Sequence, residues 1–109
     1  MRKRFKFTKF LCLLSAGRLI KDGGRILWSV DTPGGNLLFK VIFSGGRPYL
    51  APSPENNRWQ IIGFIAENIF LLDEFLTPAF RDSEEYQMAI EIAKEQEQLK
   101  FISFISLSN

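Results

Sequence analysis

Three pairs of carboxylates stand close enough along the chain to suggest acid–base chemistry: Asp73 with Glu74, Glu84 with Glu85, and Glu91 with Glu95. Such chemistry needs two carboxyls that converge on one cleft and sit in different surroundings. Neighbours on a helix diverge by about 100°, so the first two pairs point apart. Glu91 and Glu95 share a helix face, which a solvated surface explains. The chain has no His. Ser-His-Asp and Cys-His constellations and Cys/His zinc sites are therefore excluded. Its single cysteine, Cys12, has no partner for an intramolecular disulfide. Flanked by Leu11, Leu13 and Leu14, it reads as a buried, inert thiol. Glu55, Asn56 and Asn57 are too few for an oxygen-ligand metal loop and fit helix capping better. The glycine clusters match neither a phosphate-binding loop nor a dinucleotide fingerprint. No catalytic, cofactor or metal site is expected, and the sequence points away from an enzyme.

The first residues offer a different chemistry. "KRFKFTKF" interleaves cations with aromatic rings. Arg2, Lys3, Arg4, Lys6 and Lys9 could neutralise phosphates while the Phe rings stack on unpaired bases. The glycines of an RNA-recognition motif are missing, as is any helix-turn-helix or zinc-finger spacing.

These residues sit in a chain of 109, enough for one domain. Hydrophobic residues make up 46% and charged residues 24%, a globular mixture with an excess of Phe. The net charge of +2 hides a separation. Residues 1–50 carry ten basic and two acidic side chains, a balance of +8, and residues 51–109 carry four basic and ten acidic, a balance of −6. Such asymmetry points to an anionic partner, to complementation within the fold, or to two copies meeting across a dimer. The opening segment has the basic start of a secretion signal, with a possible cut near Gly17. Its apolar run is short, however, and Phe5 and Phe7 interrupt the charges. The favoured expectation is an integral first element of a cytoplasmic protein, with strand and helix both open. Phe5 and Phe7 alternate as in a strand. Phe7, Phe10, Leu11 and Leu14 have helical spacing, with Thr8 as N-cap and Gly17 just past the end.

From Gly17 to Leu50, turn clusters at Asp22–Gly24, Asp31–Gly35 and Ser44–Gly46 separate short runs rich in β-branched and aromatic residues. This predicts an antiparallel meander. In "LLFKVIF", Leu37, Phe39, Val41 and Phe43 should face the core, and Leu38, Lys40 and Ile42 the other side. Ser53, Pro54 and Glu55 read as a helix start. Ile62, Ile65, Ile69, Leu72 and Leu76 then recur at helical intervals, and Ile61, Phe64, Phe70, Leu71 and Phe75 widen the stripe. A strand over residues 59–66 followed by a helix from Glu67 is the alternative, because Gly63 weakens a helix. Glu67, Asp73 and Glu74 argue against a membrane span, and Thr77-Pro78 reads as a stop. A second helix should begin at Asp82 with Glu85 closing a capping box. The tail "FISFISLSN" continues it by spacing, with a last strand as the alternative.

The expected fold is α+β: a small antiparallel meander packed against one or two C-terminal amphipathic helices. The expected function is a non-catalytic protein-interaction module, such as an adaptor, an inhibitor or immunity-type protein, or an assembly subunit. It would bind another protein or itself through Phe70, Leu71 and Phe75. The alternative is a nucleic-acid-binding domain using the basic first half.

Overall fold

The computed structural model describes the backbone of residues 7–107 and the side chains of residues 7–97. Four strands form one antiparallel sheet in sequence order: β1 (Arg18–Asp22), β2 (Arg25–Thr32), β3 (Gly35–Ser44) and β4 (Arg47–Pro52). Two of the hairpins close through Gly23–Gly24 and Gly45–Gly46, all four at positive φ. Only such turns match the twist of a two-residue hairpin, so the glycine pairs set the register.

Helices cover one face of the sheet. Trp28 and Val30 of β2 stand opposite Phe39 and Leu37 of β3 and point into the core with Leu50 of β4. Leu37 and Phe39 thus face inward as their alternation predicts. Phe43 does not reach the core: it lies 59% exposed near the end of β3. The other sheet face carries Ile20, Leu27 and Lys40 in one register row.

The first described element is a helix, α1 (Thr8–Leu14), which lays Phe10 and Leu13 into the core. The residue at its N-cap position is Phe7, not Thr8. Gly17 is required by space: a Cβ there would press into the carbonyl of Ser29 and the indole nitrogen of Trp28. That indole Nε1–H donates to the Leu14 carbonyl at 3.1 Å, tying α1 to the sheet.

Ser53 does not start a helix. The chain first finishes the sheet, with the Asn56 carboxamide accepting from the Leu38 N–H (2.8 Å) and donating to its carbonyl (2.7 Å). The helix, α2 (Arg58–Glu67), begins only after Asn57, whose side chain accepts from the Trp59 and Gln60 N–H groups. Residues 59–66 are therefore helix rather than strand. The apolar stripe is not one helix either. It breaks at Asn68, resumes as α3 (Ile69–Leu72), and tightens into a 3-10 turn, Asp73–Phe75. Thr77 and Pro78 start a short helix, α4 (Pro78–Arg81), instead of stopping one, and the Thr77 hydroxyl accepts from the Phe80 N–H. Ser83, not Asp82, caps the last helix by accepting from the Tyr86 N–H at 3.2 Å. That helix, α5 (Glu84–Leu107), runs through the start of the tail, so the last-strand alternative falls. α5 packs on α2 and buries Ala89. Among the described residues no helix is long and apolar enough to cross a membrane.

Candidate partner-binding site

Asn68 lies in the lining of the site, where α2 gives way to α3. Its Nδ2 donates to the Phe64 carbonyl at 2.9 Å, and its backbone leaves the helical region. Burial nevertheless continues through the break at helical spacing, at Ile62, Ile65, Ile69, Leu72 and Leu76. In a helix, residues three apart share a face, so Ile69 and Leu72 turn inward and Phe70 and Leu71 outward. Phe70 is 85% exposed and Leu71 62% exposed. Phe75 is 1% exposed, with its ring 5.1 Å from that of Phe10, so it belongs to the core and to the inner lining of the groove rather than to the exposed lip. The 3-10 turn rotates it beneath α1.

Phe70 and Leu71 form one lip of a groove of about 370 Å³. The opposite wall is α1, through Thr8, Lys9, Cys12 and Leu13, and the floor includes Trp28 and Phe64. Carbon dominates this lining, and its charged members are Lys9 and Glu74. They meet at 3.5 Å. Exposed pairs of this kind contribute roughly 0–1 kcal/mol. Cys12 is exposed, which corrects the expectation of a buried thiol. α1 turns Phe10 and Leu13 inward, leaving Cys12 on the groove side.

Asp73 and Glu74 do not converge. Asp73 accepts the Tyr86 hydroxyl at 2.5 Å, while Glu74 reaches the other way to Lys9. Burial, and next the hydrogen bond to Asp73, push the Tyr86 phenol above its usual range. Glu84 and Glu85, expected to point apart, instead both reach the Arg58 guanidinium, at 3.2 and 2.9 Å. Glu91 and Glu95 are exposed on α5. Among the described residues no three His, Cys, Asp or Glu side chains gather where a metal ion could sit. A second cleft of about 280 Å³, between Ser53, Asn56, Arg58 and Phe80, is bordered by the Arg58–Glu85 pair.

Arg2, Lys3, Arg4 and Lys6 lie outside the described residues. Lys9, the fifth cation of that set, is engaged with Glu74. Lys9 with Glu74 is an ion pair between the two oppositely charged halves, and the Arg47 guanidinium donates to the Glu74 carbonyl at 2.7 Å; Arg25 pairs with Asp22 within the first half, and Arg58 with Glu84 and Glu85 within the second.

Sequence reasoning singled out Phe70 and Leu71, which the structure leaves exposed, but missed the other wall of the groove, since nothing local links α1 to residues 68–75. The polar Asn68 inside an apolar run was the available signal. Comparison with protein-family models, curated proteins and solved structures found no match.

Proposed function

We propose that the chain is a non-catalytic protein-interaction module, of the adaptor, inhibitor or assembly kind, that docks its partner on the Phe70–Leu71 lip and the groove behind it. One observation carries this reading: two adjacent large apolar side chains are held out to solvent beside an apolar groove. Exposed apolar side chains that adjoin an apolar groove mark interaction sites, and aromatic anchors set in pockets dominate the energetics of protein interfaces. The lack of His, the divergence of Asp73 and Glu74 and the neutralisation of Glu84 and Glu85 by Arg58 favour binding over catalysis. Cleavage near Gly17 would remove Phe10 and Leu13 from the core, which favours the cytoplasmic reading.

The test is a photo-crosslinking residue at Leu71 in cells. Adducts with protein are expected, and they should disappear when Phe70→Glu is added. Adducts with nucleic acid would favour the alternative reading, and no adduct at all would overturn the proposal.

A further inference from the structure

The groove needs an apolar occupant, and the chain itself carries one. α5 has 24 residues, about 36 Å at 1.5 Å per residue. α2, which it packs against, has 10, about 15 Å. The two helices start together, because Arg58 at the head of α2 reaches Glu85 at 2.9 Å and Met88 at 3.6 Å. More than half of α5 therefore has no length of α2 to lie on. The longest dimension of the molecule is 56 Å and its radius of gyration 15.8 Å. A compact chain of this length has a radius of about 13 Å, so the excess fits a helix that projects from the body.

Charge and apolarity are ordered along that helix. Glu91, Glu95 and Glu97 are exposed and have no ion-pair partner among the described residues; with Lys94 between them, residues 91–97 carry a balance of −2, and Lys100 follows. Past them the sequence becomes apolar, with Phe101, Phe104 and Leu107 at intervals of three. The other end of the chain has the matching order. Arg2, Lys3, Arg4, Lys6 and Lys9, with no acid among them, run directly into α1, one wall of the groove. An acidic stretch leading to an apolar helix end is complementary to a basic stretch leading to an apolar groove.

We propose that the groove takes the C-terminal turns of α5 from a second copy of this chain. Residues 91–97 then lie against the basic N-terminal run, and the exchange is reciprocal about a two-fold axis, as self-complementary surfaces require. The inference rests on reading the groove as a protein-docking surface.

Two double variants test it in the full-length chain: Phe70→Glu with Leu71→Glu, which spoils the groove, and Phe101→Glu with Phe104→Glu, which spoils the helix end. Light scattering should show a wild-type dimer, and each variant should weaken it by roughly tenfold or more, as loss of interface anchors does. Circular dichroism checks that both variants fold. An equimolar mixture of the two variants retains one intact groove and one intact helix end per pair. Native mass spectrometry should therefore detect a heterodimer that neither variant forms with itself at the same concentration. A monomeric wild type, a dimer that survives both variants, or a mixture that stays monomeric would overturn the self-docking proposal. Crosslinks from Leu71 to a different protein, with a monomeric wild type, would leave the interaction reading in place while removing self-docking.

Discussion

Lys9 on α1 and Glu74 on the 3-10 turn meet at 3.5 Å beside the apolar groove. The side chains are 79% and 41% exposed, so water and salt screen their attraction. Lys9→Ser should change stability by no more than about 1 kcal/mol. Replacing Arg2, Lys3, Arg4 and Lys6 by Ser should likewise leave the melting temperature nearly unchanged while weakening association at low salt. A large fall in melting temperature would mean that these cations hold the acidic helices in place.

Phe70 and Phe75 belong to one apolar run and should behave oppositely. Phe75→Ala removes a ring packed against Phe10 and should cost about 3–5 kcal/mol in chemical denaturation. Phe70→Ala should stay within about 0.5 kcal/mol under conditions where the protein is monomeric. Similar losses at both positions would show that Phe70 is part of the core.

Asn56 should matter more than a loop asparagine usually does. Its carboxamide satisfies both the N–H and the carbonyl of Leu38 where β4 has ended. Asn56→Ala leaves the Leu38 N–H unpaired, while the carbonyl keeps the Ser53 N–H at 2.9 Å, and should cost about 1–3 kcal/mol. Amide hydrogen exchange at Leu38 should accelerate in the variant, and an unchanged rate would contradict this account.

Tyr86 gives the fold an alkaline limit. Its phenol is raised in the folded state by burial, with further contributions from Asp73. A raised pKa means that the folded state holds the proton more tightly than the unfolded state. The contribution is therefore complete below the unfolded value, about 10. It declines as pH rises from there through the folded value. Tyr86→Phe should flatten the loss of melting temperature above pH 10. An identical alkaline profile in the variant would count against the assignment.

The sheet was legible because its signals are local. Paired glycines mark the hairpins, and alternation at Leu37 and Phe39 marks the inner face. The apolar run over residues 61–76 was not legible in the same way. When nearly every position is apolar, periodicity no longer says which side faces in. Phe70 falls outside the buried stripe on α3, whereas the 3-10 turn Asp73–Phe75 carries Phe75 into the core. Sequence spacing alone gave both the same weight. Ser53 failed as a helix start because Asn56 is first needed to complete the ladder at Leu38. Phe43 alternates correctly yet lies near the sheet's end, where the core no longer reaches. The groove was hidden because its walls come from opposite ends of the chain.

Cys12 offers the most direct measurement of the central claim that a protein occupies the groove. It is the chain's single cysteine, it is exposed, and it lies on the groove wall. Its alkylation rate in cells reports whether that wall is covered. The account predicts slow labelling of the wild type and faster labelling when Phe70→Glu and Leu71→Glu prevent docking, with both proteins labelling equally fast when purified and dilute. Equal rates for the two proteins in cells would contradict it.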